Sequence, residues 1–370
     1  MAKKQELKLN KIACTNCGAE VLFDPGTQVL NCNFCGSTFE VEEAVEEKVI
    51  TPDGILPFSI KKEIYNEKVL EWLSEGDYTP DDILEGSQFG DVNGVYLPMW
   101  LYTGRYSGNW SASSGYNRTE YYTAYNSVSK KYERRSRTVT DWRPSSGQVQ
   151  GNFSILCYAG TTEKIKPEIA IYAHGTGFKR GEMKDFNVKY TQGFNMVEYE
   201  YDDLDSWDKY GESQGSALVE SDAKNRIPGD KYKDFYCDVM YDKEPPKRVY
   251  VPFWITYYDY GNKQFHVHMD GTTTSRINGV RPVDEERKKA ANKKFLKGHI
   301  GCGITTLLFL ITAFGIDSWD PTYDTMIEIC SYLTIITLIL YGIGWYQKNQ
   351  LIKKSKMARQ ELLKKAKEKL

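Results

Sequence analysis

Cys14, Cys17, Cys32 and Cys35 form two Cys-x-x-Cys pairs with fourteen residues between them, a spacing that brings four thiolates around one tetrahedral zinc ion. Each pair is followed by a glycine, Gly18 and Gly36, where a chain turning its amides toward a metal must bend tightly and a Cβ would obstruct. Four thiolates fill the site, so the expected centre is a single structural Zn2+ with no open position for chemistry. Two disulfides would use the same residues but need an oxidising compartment, and no signal peptide precedes the cysteines.

Other candidate residues form weaker patterns. His266-Val267-His268 puts two imidazoles on one face of a strand, a candidate second metal pair set against the plainer reading of two solvent-facing histidines. Lys130, Lys131, Arg134, Arg135 and Arg137, with Tyr121, Tyr122 and Tyr125 nearby, mix cations and aromatics as single-strand nucleic-acid surfaces do. A hairpin with a solvated charged edge explains that run equally well. Gly211 to Gly215 matches the nucleophile-elbow pattern around Ser213, but the pattern needs a buried strand ahead of it, and Asp202 to Asp208 is too acidic for one. No catalytic constellation emerges, and the chain reads as a binding protein and not an enzyme.

The cysteines must be carried by local strands. Glu20 to Asp24 and Gln28 to Asn31 flank Pro25-Gly26, which reads as a hairpin returning the second pair beside the first. At 370 residues two or three folded units are expected. A net charge of -2 gives no global argument for nucleic acid, although residues 202 to 244 are acidic while 287 to 297 and 348 to 369 are basic. Aromatics at 14%, with 27 Tyr, point to β structure in the middle. There, Val95 to Leu101 (VYLPMWL) recurs as Val249 to Ile255 (VYVPFWI), which predicts two strands in equivalent places of one antiparallel structure. Ahead of the first copy, residues 61 to 74 predict a helix with Ile64, Val69, Trp72 and Leu73 on one side. Thr79-Pro80 predicts the start of a second helix, ended by Gly86.

Gly298 to Ile316 and Ile329 to Tyr346 are apolar runs of nineteen and eighteen residues, each long enough to span about 28 Å of hydrocarbon as a helix. Lysines and arginines flank both outer ends, whereas Asp317 to Glu328 carries only acidic charges. By the positive-inside rule this predicts a two-span bacterial membrane protein with both termini cytoplasmic. The fold class expected is thus multidomain α+β. A zinc ribbon (1–45) is followed by an acidic linker with docking helices (46–92) and a β-rich cytoplasmic domain with inserted helices (93–284). A basic juxtamembrane helix (285–297), a transmembrane hairpin (298–346) and a basic amphipathic tail (347–370) complete it. Lys353 and Lys354 in the tail are candidate contacts to a lipid bilayer.

With these pieces located, the chain resembles bacterial membrane proteins that carry a TFIIB-type zinc ribbon. The resemblance rests on the cysteine quartet, Ile55-Leu56-Pro57-Phe58, Gly94 to Trp100, Asp141-Trp142, Val249 to Trp254 with Asp270-Gly271, and Gly279-Val280-Arg281-Pro282. After Asp270-Gly271 this chain departs from the family, reading Thr272-Thr273-Thr274-Ser275. The resemblance implies a membrane adaptor acting with SPFH-type and PspA-like protein partners, and it brings no catalytic residues. A nucleotide-dependent activity is not implied, since no Gly-x-x-x-x-Gly-Lys-Ser/Thr loop is present. A nucleic-acid-binding or regulatory zinc protein is the second reading, against which membrane tethering and the acidic segment weigh. The sequence sets no oligomeric state.

Overall fold

A computed structural model describes residues 6–16, 18–23, 29–32, 36–41, 45–126, 130–160, 169, 182–293, 300, 303–304, 307 and 323–368. The chain divides into two units, Met1–Phe58 with Gly94–Phe253, and Ser59–Asn93 with Trp254–Leu370.

The first unit is organised by one long hairpin. Strand β7 (Ser87–Asn126) and strand β8 (Lys131–Tyr158) pair antiparallel without a break from Met99↔Tyr158 to Asn126↔Lys131. On its other edge β7 receives β10 (Lys231–Cys237) and β11 (Met240–Lys243), which follow one another along it from Gly115 to Gly104 with one register shift. Side chains alternate, so Trp100, Tyr102, Tyr106, Trp110 and Ala112 of β7 share a face with Val149, Phe153, Ile155 and Cys157 of β8. Helical turns over 203–211 and helix α3 (Glu212–Asn225) cover that face through Trp207, Val219 and Ala223. Tyr102 and Tyr241 meet Trp207 edge to face at 5.0 and 5.3 Å, the arrangement that ring quadrupoles favour.

Three cross-strand pairs set an aromatic ring over a glycine: Tyr106 over Gly151, Trp110 over Gly147 and Trp142 over Gly115. A Cβ built on Gly147 would lie 2.7 Å from the Trp110 ring. The glycines leave room for the rings to lie flat on the ladder, and the rings cover backbone that glycine would otherwise expose.

Strand β9 (Asn195–Met196) runs parallel to β7 at Val95 and Tyr96 and antiparallel to β2 (Glu20–Phe23) at Leu22. Strand β2 pairs with β1 (Glu6–Ala13), and β1 with β5 (Val45–Ile50). The order in this unit is therefore β12-β7-β9-β2-β1-β5, where β12 is Lys247–Tyr260 and also pairs parallel with the short β6 (Gly54–Ile55) at Val249 and Tyr250. The two copies of the repeat lie on neighbouring strands, with Tyr96 and Tyr250 fully buried in one cluster and their rings 6.4 Å apart. Their hydroxyls donate to the carbonyls of Tyr190 and Val197, which is how a phenol is buried without losing its hydrogen bond.

The second unit holds β12 from Trp254 onward, β13 (Lys263–Asp270), β14 (Ile277–Gly279), α1 (Lys62–Glu75), α2 (Ile83–Gly86) and α4 (Tyr323–Lys367). Helix α1 buries Tyr65, Val69, Trp72 and Leu73, an i, i+4, i+7, i+8 stripe. Ile64, expected on that side, is exposed, and Tyr65 takes the inner position by donating to the Val267 carbonyl at 2.9 Å. Helix α2 starts after Asp82 and not after Thr79, because the Thr79 carbonyl accepts from Arg287 and Arg359. The end of α4 docks on α1 and α2. Arg359, fully buried, donates to the carbonyls of Ser74 (2.9 Å), Gly76 and Thr79 (2.6 Å) and reaches Asp81 at 3.3 Å. Lys367 pairs with Glu67 and Glu71.

These observations correct the expected fold class. The first 45 residues are not a free-standing ribbon, since β1 and β2 are joined through β9 to the large sheet. Nor is there a two-helix transmembrane hairpin, since among the described residues no helix is long and apolar enough to cross a membrane. The run Ile329 to Tyr346 is part of one helix of 45 residues that continues to Lys367 and whose last turns are fixed by Arg359 and Lys367. The run Gly298 to Ile316, apart from four isolated positions, lies outside the described residues. The two-span bacterial membrane localisation with cytoplasmic termini is corrected with the hairpin that carried it. The chain is described by its β-rich sheet and C-terminal helix.

Candidate functional site

The two cysteine turns have the same local geometry. In the first, the Cys14 amide donates to the Ala19 carbonyl and the Gly18 amide to the Cys14 carbonyl, both at 2.8 Å. In the second, the Cys32 amide donates to Ser37 at 2.8 Å and the Gly36 amide to Cys32 at 2.9 Å. Gly18 and Gly36 have φ of 74° and 76°, the left-handed conformation that a side chain resists. Strands β3 (Val29–Asn31) and β4 (Thr38–Glu40) frame the second turn as β1 and β2 frame the first. Cys14 and Cys32 are buried in one cluster with Phe23, Leu30 and Phe39. The Cys14 sulfur lies 3.3 Å from the Ser37 hydroxyl, so the first turn touches the second.

Cys17 and Cys35 lie outside the described residues. Among the described residues no group of three or more His, Cys, Asp or Glu side chains forms that could hold a metal ion. The expected metal-centred ribbon is thus not assembled by the described residues. They contribute two buried thiols on two matched turns, a donor set whose soft sulfur chemistry fits Zn2+.

His266 and His268 are not solvent-facing. Both are buried on β13 with rings stacked 5.6 Å apart. Burial, followed by the neighbouring His266, lowers the pKa of His268 to about 3, so its ring is neutral near pH 7. They are brought together with each other but with no third metal-binding side chain among the described residues. Ser213 sits in the first turn of α3, preceded by helical turns, and its hydroxyl donates to the Tyr210 carbonyl. The strand that an elbow requires is not there. Cys157 is buried and its thiol is pushed up to about 12 by desolvation, which leaves it inert as a nucleophile.

Lys130, Lys131, Arg134, Arg135 and Arg137 are exposed near the tip of the β7–β8 hairpin. Lys353 and Lys354 are exposed on α4, in the part of the helix that carries Ser355 and Arg359, so they belong to a docked helix and not to a separate tail. A cleft of about 280 Å³ opens beside α1, lined by Lys62, Tyr65, Val69, Phe89, Asp91 and Thr256. Burial holds the Tyr65 phenol above its ordinary range, so this cleft offers no phenol poised for acid–base work at neutral pH.

Sequence reasoning missed the Arg359 clamp. Burial opposes the charge of Asp81, but hydrogen bonds from Ser355 and Arg287 and the field of Arg359 hold its carboxyl below the ordinary carboxylate range. An arginine in a lysine-rich tail gives no signal of burial, and only the docked helix reveals it.

No protein-family model matches the chain. It is 20% identical over 327 residues to the uncharacterized protein YdjG of Bacillus subtilis strain 168, an alignment that covers 75% of this chain and 91% of that protein. No solved structure matches.

Proposed function

We propose that the chain is a non-catalytic adaptor whose N-terminal turns are pinned by one structural zinc ion, held by Cys14, Cys17, Cys32 and Cys35. The observation that carries this reading is the matched pair of cysteine turns, equal in hydrogen bonding and glycine φ and packed in one cluster. Bound zinc would supply a closed cross-link in place of a hydrophobic core for β3, β4 and the turns. The residues of this chain do the rest: Gly18 and Gly36 close the turns by donating their amides to the Cys14 and Cys32 carbonyls, and Phe23, Leu30 and Phe39 pack around the two thiols. The partners are cytoplasmic proteins, and the resemblance to TFIIB-type zinc-ribbon proteins makes SPFH-type or PspA-like proteins the first to test.

The experiment compares the tagged full chain with a Cys14→Ser/Cys32→Ser variant, measuring metal content and co-purifying SPFH-type and PspA-like proteins. Expected are one zinc per chain and at least one such partner, both lost in the variant. A chain purified without zinc overturns the metal centre, and the same partners at the same yield from the variant overturn the adaptor role of the turns.

A further inference from the structure

The hairpin of the first unit outruns its own support. Strand β10 accompanies β7 only as far as Gly115, and the helix-covered cluster ends at Ala112. From Asn117, whose amide donates to the Asp230 carboxylate, to Asn126, paired with Lys131 to Thr140, β7 and β8 continue with no third strand beside them among the described residues. Ten residues at about 3.3 Å each give an arm about 33 Å long. An isolated two-stranded ribbon is marginally stable in water, so conserving its register depends on side chains across the two strands.

Alternation separates the arm into two different faces. One carries Arg118, Glu120, Tyr122, Glu133, Arg135 and Arg137, where Arg137 pairs with Glu120 at 2.6 Å and Arg118 with Asp141 at 2.8 Å. The other carries Tyr121, Tyr125, Tyr132 and Arg134 among Thr, Ser and Asn, and holds no carboxylate. Its three tyrosines are 60%, 54% and 75% exposed. Arg134 lies over the Tyr121 ring at 4.2 Å. From Tyr116 to Asp141 there are six cations and three carboxylates.

The geometry points to this carboxylate-free face as a binding site for single-stranded nucleic acid, a function separate from the adaptor reading and independent of it. Exposed rings with hydroxyls and a cation stacked on one of them satisfy both parts of a strand, the base faces and the phosphates. An acidic peptide would use the cations and leave the three rings without a role. A stacked strand rises about 3.4 Å per nucleotide, so an arm of about 33 Å spans roughly ten nucleotides. In the sequence, membrane tethering and the acidic segment 202 to 244 weigh against this partner; Asp203 of that segment lies at the base of the hairpin, where the Tyr102 hydroxyl donates to its carbonyl, and Asp230 bonds the Asn117 amide where the arm begins.

The test is fluorescence anisotropy of labelled dT15 with the purified full chain at 50 and 300 mM KCl. Binding should weaken about threefold between the two salts, as one phosphate contact requires. Tyr121→Ala/Tyr132→Ala should weaken it at least tenfold with the salt slope kept, whereas Arg134→Gln should flatten the slope by about 0.7 for one lost phosphate contact. All three side chains are exposed, and circular dichroism checks that each variant folds. The proposal is overturned by no binding at 50 mM, by binding that neither variant changes, or by a polyglutamate peptide that competes as well as unlabelled dT15.

Discussion

Replacing Arg359 with Met should release the end of α4 from the turn between α1 and α2. The guanidinium is fully buried and serves three main-chain carbonyls, those of Ser74, Gly76 and Thr79, besides the Ser355 hydroxyl and the Asp81 carboxylate. Hydrogen bonds to a charged group contribute about 1.5–3 kcal/mol each. The bonds share one side chain and do not add; Asp81 is 46% exposed and keeps Arg287, so the cost lies in the three carbonyls left without their donor, at about 1–3 kcal/mol for each buried group unpaired. Methionine fills similar volume, so the lost polar partners dominate and about 4 kcal/mol is expected. Hydrogen–deuterium exchange of residues 74 to 81 measures this locally, without requiring the whole chain to unfold in one step. A loss of about 4 kcal/mol corresponds to roughly a thousandfold faster exchange. Arg359→Lys should fall between, because an ammonium cannot span the fork that reaches three carbonyls at once. Protection in Arg359→Met within threefold of the wild type would refute the assignment of this residue as the clamp.

The remaining predictions concern the buried histidine and the β7–β8 hairpin. The folded pKa of His268 is lowered to about 3 against about 6.5 unfolded. Its contribution is therefore fully present above pH 6.5 and is lost as pH falls toward 3, by about 2 kcal/mol at pH 5. Urea midpoints measured from pH 7.5 to 4.5 should fall accordingly, and a His268→Leu variant should flatten that slope; an equal slope in both would remove His268 as the cause. Gly147→Ala should cost about 1–3 kcal/mol, because the new Cβ drives Trp110 off the ladder. Tryptophan fluorescence and near-UV dichroism read the displacement, and an unchanged spectrum with unchanged stability would count against the ring-on-glycine account.

The local features of this chain are set by its own short-range chemistry. The two cysteine turns are legible because a Cys-x-x-Cys-Gly run needs a glycine where φ becomes positive, and Gly18 and Gly36 both take that conformation. The stripe of α1 is legible from its period, apart from the one-residue offset between Ile64 and Tyr65 that a long-range bond to Val267 decides. The repeat announced two equivalent strands, because proline and aromatic residues at matched positions impose matched environments, and Tyr96 and Tyr250 now share a cluster. What tertiary structure alone decided depends on partners distant in sequence. A two-residue strand at Asn195–Met196 joins β2 to β7, a tie that neither partner's local sequence announces. The apolar run from Ile329 belongs to a helix whose far end is fixed by carbonyls nearly 300 positions earlier, which hydropathy averaged along the chain does not register. His266 and His268 look the same in sequence whether they face water or protein. Burial, a property of the neighbours and not of the residue, made them a stacked pair in which His268 is neutral.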